Sequence, residues 1–145
     1  MAFDAVLAKH IGARVLSDKV GIATSLKIIN LVDSSKYPEL IYPMIDLESS
    51  WNPLAISEAG AKGLLQIMDI TASEYGVLPE ELFDPIINIK LGIAIFEDHM
   101  DYFDEDTLWA LTSYNRGRAG ARRSGPITGY SKTIYKTMLA YGQTQ

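Results

Sequence analysis

Apolar residues recur every three to four positions along most of the chain, the period of amphipathic helices. Alternating runs of β-branched residues, the mark of strands, are missing. Val6, Leu7, His10 and Ile11 share one side of a first helix expected from Phe3 to Leu16. Ser17-Asp18 reads as the cap of a second helix running to Leu31. Pro38, after Ser34-Ser35, marks a third, with Leu40, Ile41, Met44, Ile45 and Leu47 as its apolar side and an end near Ser50. Pro43 falls inside it and should kink its first turns. Gly60 and Gly63 flank a short helix expected to end near Met68, and Asp69 or Thr71 caps a further turn through Tyr75-Gly76.

A long apolar helix follows Pro85 as far as Met100, and another runs from Asp106 to Tyr114. The arginine- and glycine-rich stretch from Arg116 to Gly129 is a loop or a broken helix. Tyr130 to Tyr141 closes the chain with Ile134, Met138 and Tyr141 on one side. No repeat, low-complexity tract or linker interrupts the pattern. The expectation is one all-α domain over residues 1–145, of about seven to nine short helices.

With no cysteine, disulfides, thiolate metal sites and cysteine nucleophiles are excluded together. His10 and His99 have no metal-site spacing and read as ordinary helix residues, so neither a metal nor any other cofactor is expected. No run approaches a membrane span, so stable membrane insertion is not expected. Asp4, Lys9, His10, Arg14 and Asp18 break up any apolar core of a secretory signal. The net charge of −5 is uneven: nothing after Asp106 is acidic, and Arg116, Arg118, Arg122, Arg123, Lys132 and Lys136 make that part basic. Either this is a basic face favoured at helix C-termini or a surface that meets an anionic polymer. Nucleic acid fits poorly, because the patch is short, the whole is acidic and no recognition motif accompanies it.

One residue carries the candidate chemistry. Glu48 ends an apolar, helical run, with Ile45, Leu47 and Trp51 close in sequence. Apolar surroundings raise a carboxylic acid's pKa and make it a proton donor near neutral pH. Gln66 is polar within Leu64-Leu65-Gln66-Ile67-Met68, so it is either a core amide bonded to backbone or a cleft residue. Ser57 orients the carboxyl, bonds a sugar or closes a turn. Met68 lines an apolar wall or packs in the core.

Three blocks occur in order. The first is Glu48-Ser49 with Asn52-Pro53. The second is Ser57 with Gly60-Ala61-Lys62-Gly63-Leu64-Leu65-Gln66-Ile67-Met68 and Thr71-Ala72. The third is Asn88-Ile89 with Gly92, then Tyr114-Asn115 with Gly117. From Tyr37 to Tyr135 the chain thereby resembles the catalytic domain of the soluble lytic transglycosylase family, which shares the goose-type lysozyme fold. The resemblance implies a lysozyme-like all-α domain with a substrate cleft. Residues 1–35 lie outside the matching stretch and are expected to form a helical extension packed on the domain, the alternative being a segment that docks it to a larger assembly. It implies that Glu48 is catalytic, that Gln66 holds the substrate in the cleft, that the Tyr114 hydroxyl sits near the carboxyl and that Asn115 supports the cleft. The packing alternative for the last two is a core Tyr and an Asn in a left-handed helix cap.

The resemblance also implies the reaction. A lone Glu protonates the oxygen between N-acetylmuramic acid and N-acetylglucosamine in peptidoglycan glycan strands. It then accepts the proton of the muramic C6 hydroxyl, leaving a 1,6-anhydro end. This chain departs from the family pattern at Leu65 (usually Met), Asp69 (usually Pro), Arg116 (usually small) and Arg118 (usually Pro). Goose-type enzymes place a carboxylate near position 69, so Asp69 is either a water-positioning group or a helix cap. Two other readings stand beside the first: a hydrolytic muramidase using Asp69, Asp46 or Glu58 for water, and a non-catalytic glycan-binding or virion structural protein. A monomer acting in the bacterial cell wall or periplasm is expected. With no signal peptide, its delivery is by lysis, in a phage particle or through a secretion or conjugation apparatus.

Overall fold

The computed structural model describes residues 4–143, with side chains over 9–140. Seven α-helices and one 3-10 turn follow in order: α1 Asp4–Val20, α2 Ile22–Asp33, α3 Pro38–Ser49, α4 Asp69–Glu74, the turn Pro79–Phe83, α5 Pro85–Tyr102, α6 Thr107–Ser124 and α7 Gly129–Gln143. Two isolated antiparallel bridges, Ile56 with Lys62 and Lys62 with Ile67, are the extended pairings among the described residues. No described helix is long and apolar enough to cross a membrane.

The helix starts follow local chemistry where a side chain can cap. The Asp84 carboxylate accepts from the backbone N–H groups of Ile86 and Ile87 at the head of α5, with Pro85 beside it. Asp106 does the same for Trp109 at the head of α6. Between α1 and α2 the expectation fails. Ser17 turns its hydroxyl back onto the Ala13 carbonyl and α1 runs on to Val20. The break comes at Gly21, whose φ of 86° a side chain would resist. The buried side of α1 is Gly12 and Leu16, while His10 and Ile11 are exposed. Phe3, and the side chains of Val6, Leu7 and Tyr141, lie outside the described residues.

Two apolar clusters make up the interior. The larger joins α1, α2, α3, α5, α6 and α7 through Leu16, Ile28, Val32, Ile41, Met44, Trp51, Phe96, Leu111 and Ile134. α1 reaches it where Gly12 meets the Trp51 indole, so closely that a Cβ there would stand 1.8 Å from a ring carbon. The smaller joins Ile67, Ala72, Leu82, Leu91 and Ile95. Tyr114 packs against both, and the candidate site lies along this seam.

The stretch from Gly60 to Met68 is not a helix. Gly60, Gly63 and Gln66 all take left-handed backbone, with φ of 94°, 80° and 50°. Three such residues in seven cannot sit in an α-helix. Asn88, fully buried on α5, holds the loop instead. Its Oδ1 accepts from the Leu65 N–H at 2.8 Å, and its Nδ2 donates to the Lys62 and Leu82 carbonyls at 2.9 Å each. Asn88→Ala strands the buried Leu65 N–H and Leu82 carbonyl, removes one of the two donors to the Lys62 carbonyl, and is expected to cost about 2 kcal/mol in stability, read by denaturant unfolding. A loss indistinguishable from zero would show that the loop holds itself.

Candidate active site

Position 48 falls three and four residues after Ile45 and Met44, at the end of the buried stripe of α3. The helix runs as one element through buried Pro43 and stops at Ser49, where Ser50 and Trp51 turn left-handed. Leu47 is exposed and Trp51 is sunk in the larger cluster, so neither supplies the expected neighbourhood. Residues distant in sequence supply it. A pocket of about 280 Å³ surrounds Glu48, with Ala59, Ala61, Ile67 and Ile95 as apolar wall and Ser57, Gln66, Met68, Thr71, Tyr114 and Asn115 completing it.

Burial in this pocket pushes the Glu48 pKa up to about 7. The Tyr130 hydroxyl opposes the rise by donating to Oε2 at 3.0 Å, which favours the ionised form. Tyr130 stands at the head of α7. The turn before it is fixed by the Pro126 carbonyl, which accepts from Thr112 Oγ1 at 2.6 Å and from Ser131 Oγ at 2.8 Å. Burial and the Glu48 charge raise the pKa values of Tyr130 and Tyr114 well above 10, so both hydroxyls remain donors.

Each sequence-derived site residue now has a place. Ser57, Gln66, Met68, Tyr114 and Asn115 line the pocket with Glu48. The Ser57 hydroxyl accepts from the Ala61 N–H at 3.0 Å and so also closes a turn. Gln66 Nε2 donates to the Ala55 and Gly63 carbonyls at 3.1 and 3.0 Å, which leaves its carbonyl oxygen as the amide atom not held by backbone. The Tyr114 hydroxyl donates to the Leu65 carbonyl at 2.7 Å rather than to the carboxyl. Asn115 is exposed within α6, not in a left-handed cap; that backbone belongs to Gly117. Asp69 is separate. It opens α4 without capping it, its carboxylate is paired with Lys62, and it does not line the pocket. Tyr130 is the member that sequence reasoning missed. It precedes Ile134 and Met138 by four and eight residues and so reads as one more core residue of α7. The available signal was that a buried Tyr hydroxyl needs a partner.

Comparison with known families decides the relationship. The model described as "Transglycosylase SLT domain" matches residues 28–136, from within α2 to within α7. The chain belongs to the transglycosylase SLT domain family. A transglycosylase of Enterobacteria phage PRD1 is 34% identical over 109 residues, which is 74% of this chain and 40% of that protein. This SLT domain therefore spans well under half of that relative. Solved structures show the lysozyme-like lytic transglycosylase fold. The 70 kDa soluble lytic transglycosylase of Escherichia coli superposes with a TM-score of 0.66 at 22% identity, over 79% of this chain and 24% of that one. An inactive Glu-to-Gln mutant of the lytic transglycosylase Slt from Pseudomonas aeruginosa gives 0.65 at 21% identity, over 86% and 24%.

Proposed function

We propose that the chain is a peptidoglycan lytic transglycosylase in which Glu48 serves first as acid and then as base. The observation that carries this reading is a lone carboxyl with a pKa near 7 in a pocket that no second carboxylate lines. Ordinary glycosidases place a second carboxylate opposite the acid, as nucleophile or as base for water. Here Asp46 and Glu58 are exposed, Asp69 is paired with Lys62, and none of the three reaches the pocket. That weighs against the hydrolytic reading.

Protonated Glu48 donates to the bridging oxygen as the bond from muramic C1 to that oxygen breaks, and the N-acetylglucosamine end leaves as a neutral hydroxyl. The resulting carboxylate accepts the C6 hydroxyl proton while that oxygen closes on C1. The proton count balances and no water is consumed. A pKa near the working pH suits a group that must both give and take. Tyr130 steadies the carboxylate stage, Gln66 presents its free carbonyl oxygen to the sugar, and Ser57, Met68, Tyr114 and Asn115 shape the cleft.

Mass spectrometry of purified wall digested in heavy-oxygen water tests the reading. Anhydro ends free of label are expected; labelled reducing ends would make the protein a hydrolase. Tyr130→Phe gives a second check. Removing its hydrogen bond raises the Glu48 pKa further, so the alkaline limb of the kcat/KM profile moves to higher pH and kcat falls about tenfold. An unmoved limb would remove Tyr130 from the machinery.

A further inference from the structure

The Glu48 pocket opens into a second groove of about 860 Å³, and the two share Ala59, Met68, Thr71, Ile95, Tyr114 and Asn115. Past the shared wall, the groove is built on the break in α6. Gly117 adopts φ 75°, ψ 161°, outside any helix. In an unbroken helix, residues two apart point in nearly opposite directions. The break allows Arg116 and Arg118 to line one groove together.

Their charges are not spent within the fold. Among the described residues the ion pairs are Lys9 with Asp33 and Lys62 with Asp69, and neither arginine has a carboxylate within that range. The Arg118 guanidinium lies over the Tyr102 ring, 3.7 Å from its centroid, which fixes its plane without neutralising it. Asp98, the acid near this end, accepts from the Tyr75 hydroxyl. Glu74 is the carboxylate that lines the groove. His99 in the same wall is held neutral, its pKa lowered to about 4 by burial and then by the Arg118 charge. Arg116 also faces a shallow hollow with Arg123, which extends the positive field outward.

Neutral sugar rings do not call for guanidinium groups, whereas carboxylates match their planar fork. In peptidoglycan such carboxylates hang on the peptide branch of muramic acid. We infer that the Arg116–Arg118 groove is a subsite for a carboxylate of that peptide branch, so the domain prefers strands that still carry charged peptides. This rests on the peptidoglycan reading above. The family resemblance implies a small residue and a Pro at these two positions, where this chain carries arginines.

The test compares kcat/KM on soluble glycan strands with free peptide carboxylates and on the same strands after those carboxylates are converted to amides. Wild type is expected to prefer the charged strands about tenfold, a preference that falls as salt rises. In Arg116→Ala/Arg118→Ala the ratio should fall to near one. Arg118→Ala also removes the stack on Tyr102, so the exposed Arg116→Glu is measured beside it and should lower the ratio below that of wild type. Equal rates of wild type on both strands overturn the subsite, as does a preference that survives in both variants. Cleavage of neither strand by wild type overturns the peptidoglycan reading itself, and the subsite with it.

Discussion

Glu48→Gln is expected to lose at least about a thousandfold in wall-cleaving kcat/KM while keeping its helical spectrum and cooperative unfolding. The size follows from the double duty of one group. The amide can neither release a proton to the leaving oxygen nor collect one from the attacking hydroxyl, so both halves of the reaction lose their partner. No neighbour can substitute, since the other groups at the site that can donate are the Ser57, Thr71, Tyr114 and Tyr130 hydroxyls and side-chain amides. These are far weaker acids than a carboxyl. Release of soluble muropeptides from dye-labelled wall reads the loss. Residual activity within tenfold of wild type would mean that Glu48 is not the acid.

The same substitution should stabilise the fold in alkaline solution. Glu48 titrates near 7 when folded, against an ordinary value of 4.5. Between those values the native state holds a proton that the unfolded chain releases. Stability therefore declines as pH rises through this window and levels off above it. The difference corresponds to a penalty of up to about 3 kcal/mol at pH 8 that Gln does not carry. Other carboxyls titrate alike in both proteins and cancel in the comparison. Denaturant unfolding should show Glu48→Gln more stable than wild type at pH 8, with the advantage gone at pH 4. Equal stability at both would mean the carboxyl is well hydrated when folded. The expected trade is that of a functional site held at the expense of the fold.

How far the sequence disclosed this site depended on whether its signals were local. Helices with an apolar stripe and a side-chain cap were legible: α5 follows Pro85 and α6 follows Asp106, close to where the pattern places them. The stretch from Arg116 resolves into the broken-helix alternative, with the break at Gly117. The loop from Gly60 to Met68 has an apolar run with helical spacing, so its sequence reads as helix. What forbids the helix is left-handed backbone at Gln66 as well as at the two glycines, and a Gln does not advertise that conformation. Glu48 was legible as a candidate, but for an incomplete reason. Leu47 and Trp51 adjoin it in sequence yet do not wall it; Ile67, Ile95 and Tyr114 do, brought in by packing of the two clusters. Tyr130 lies 82 residues from its partner, a pairing that no local pattern encodes.

Titration of the Glu48 side-chain carboxyl carbon by NMR, with Glu48→Gln to assign the signal, addresses the central claim most directly. A midpoint near 7 is expected, moving upward in Tyr130→Phe. A midpoint of about 4 to 5, where hydrated glutamates titrate, would contradict it.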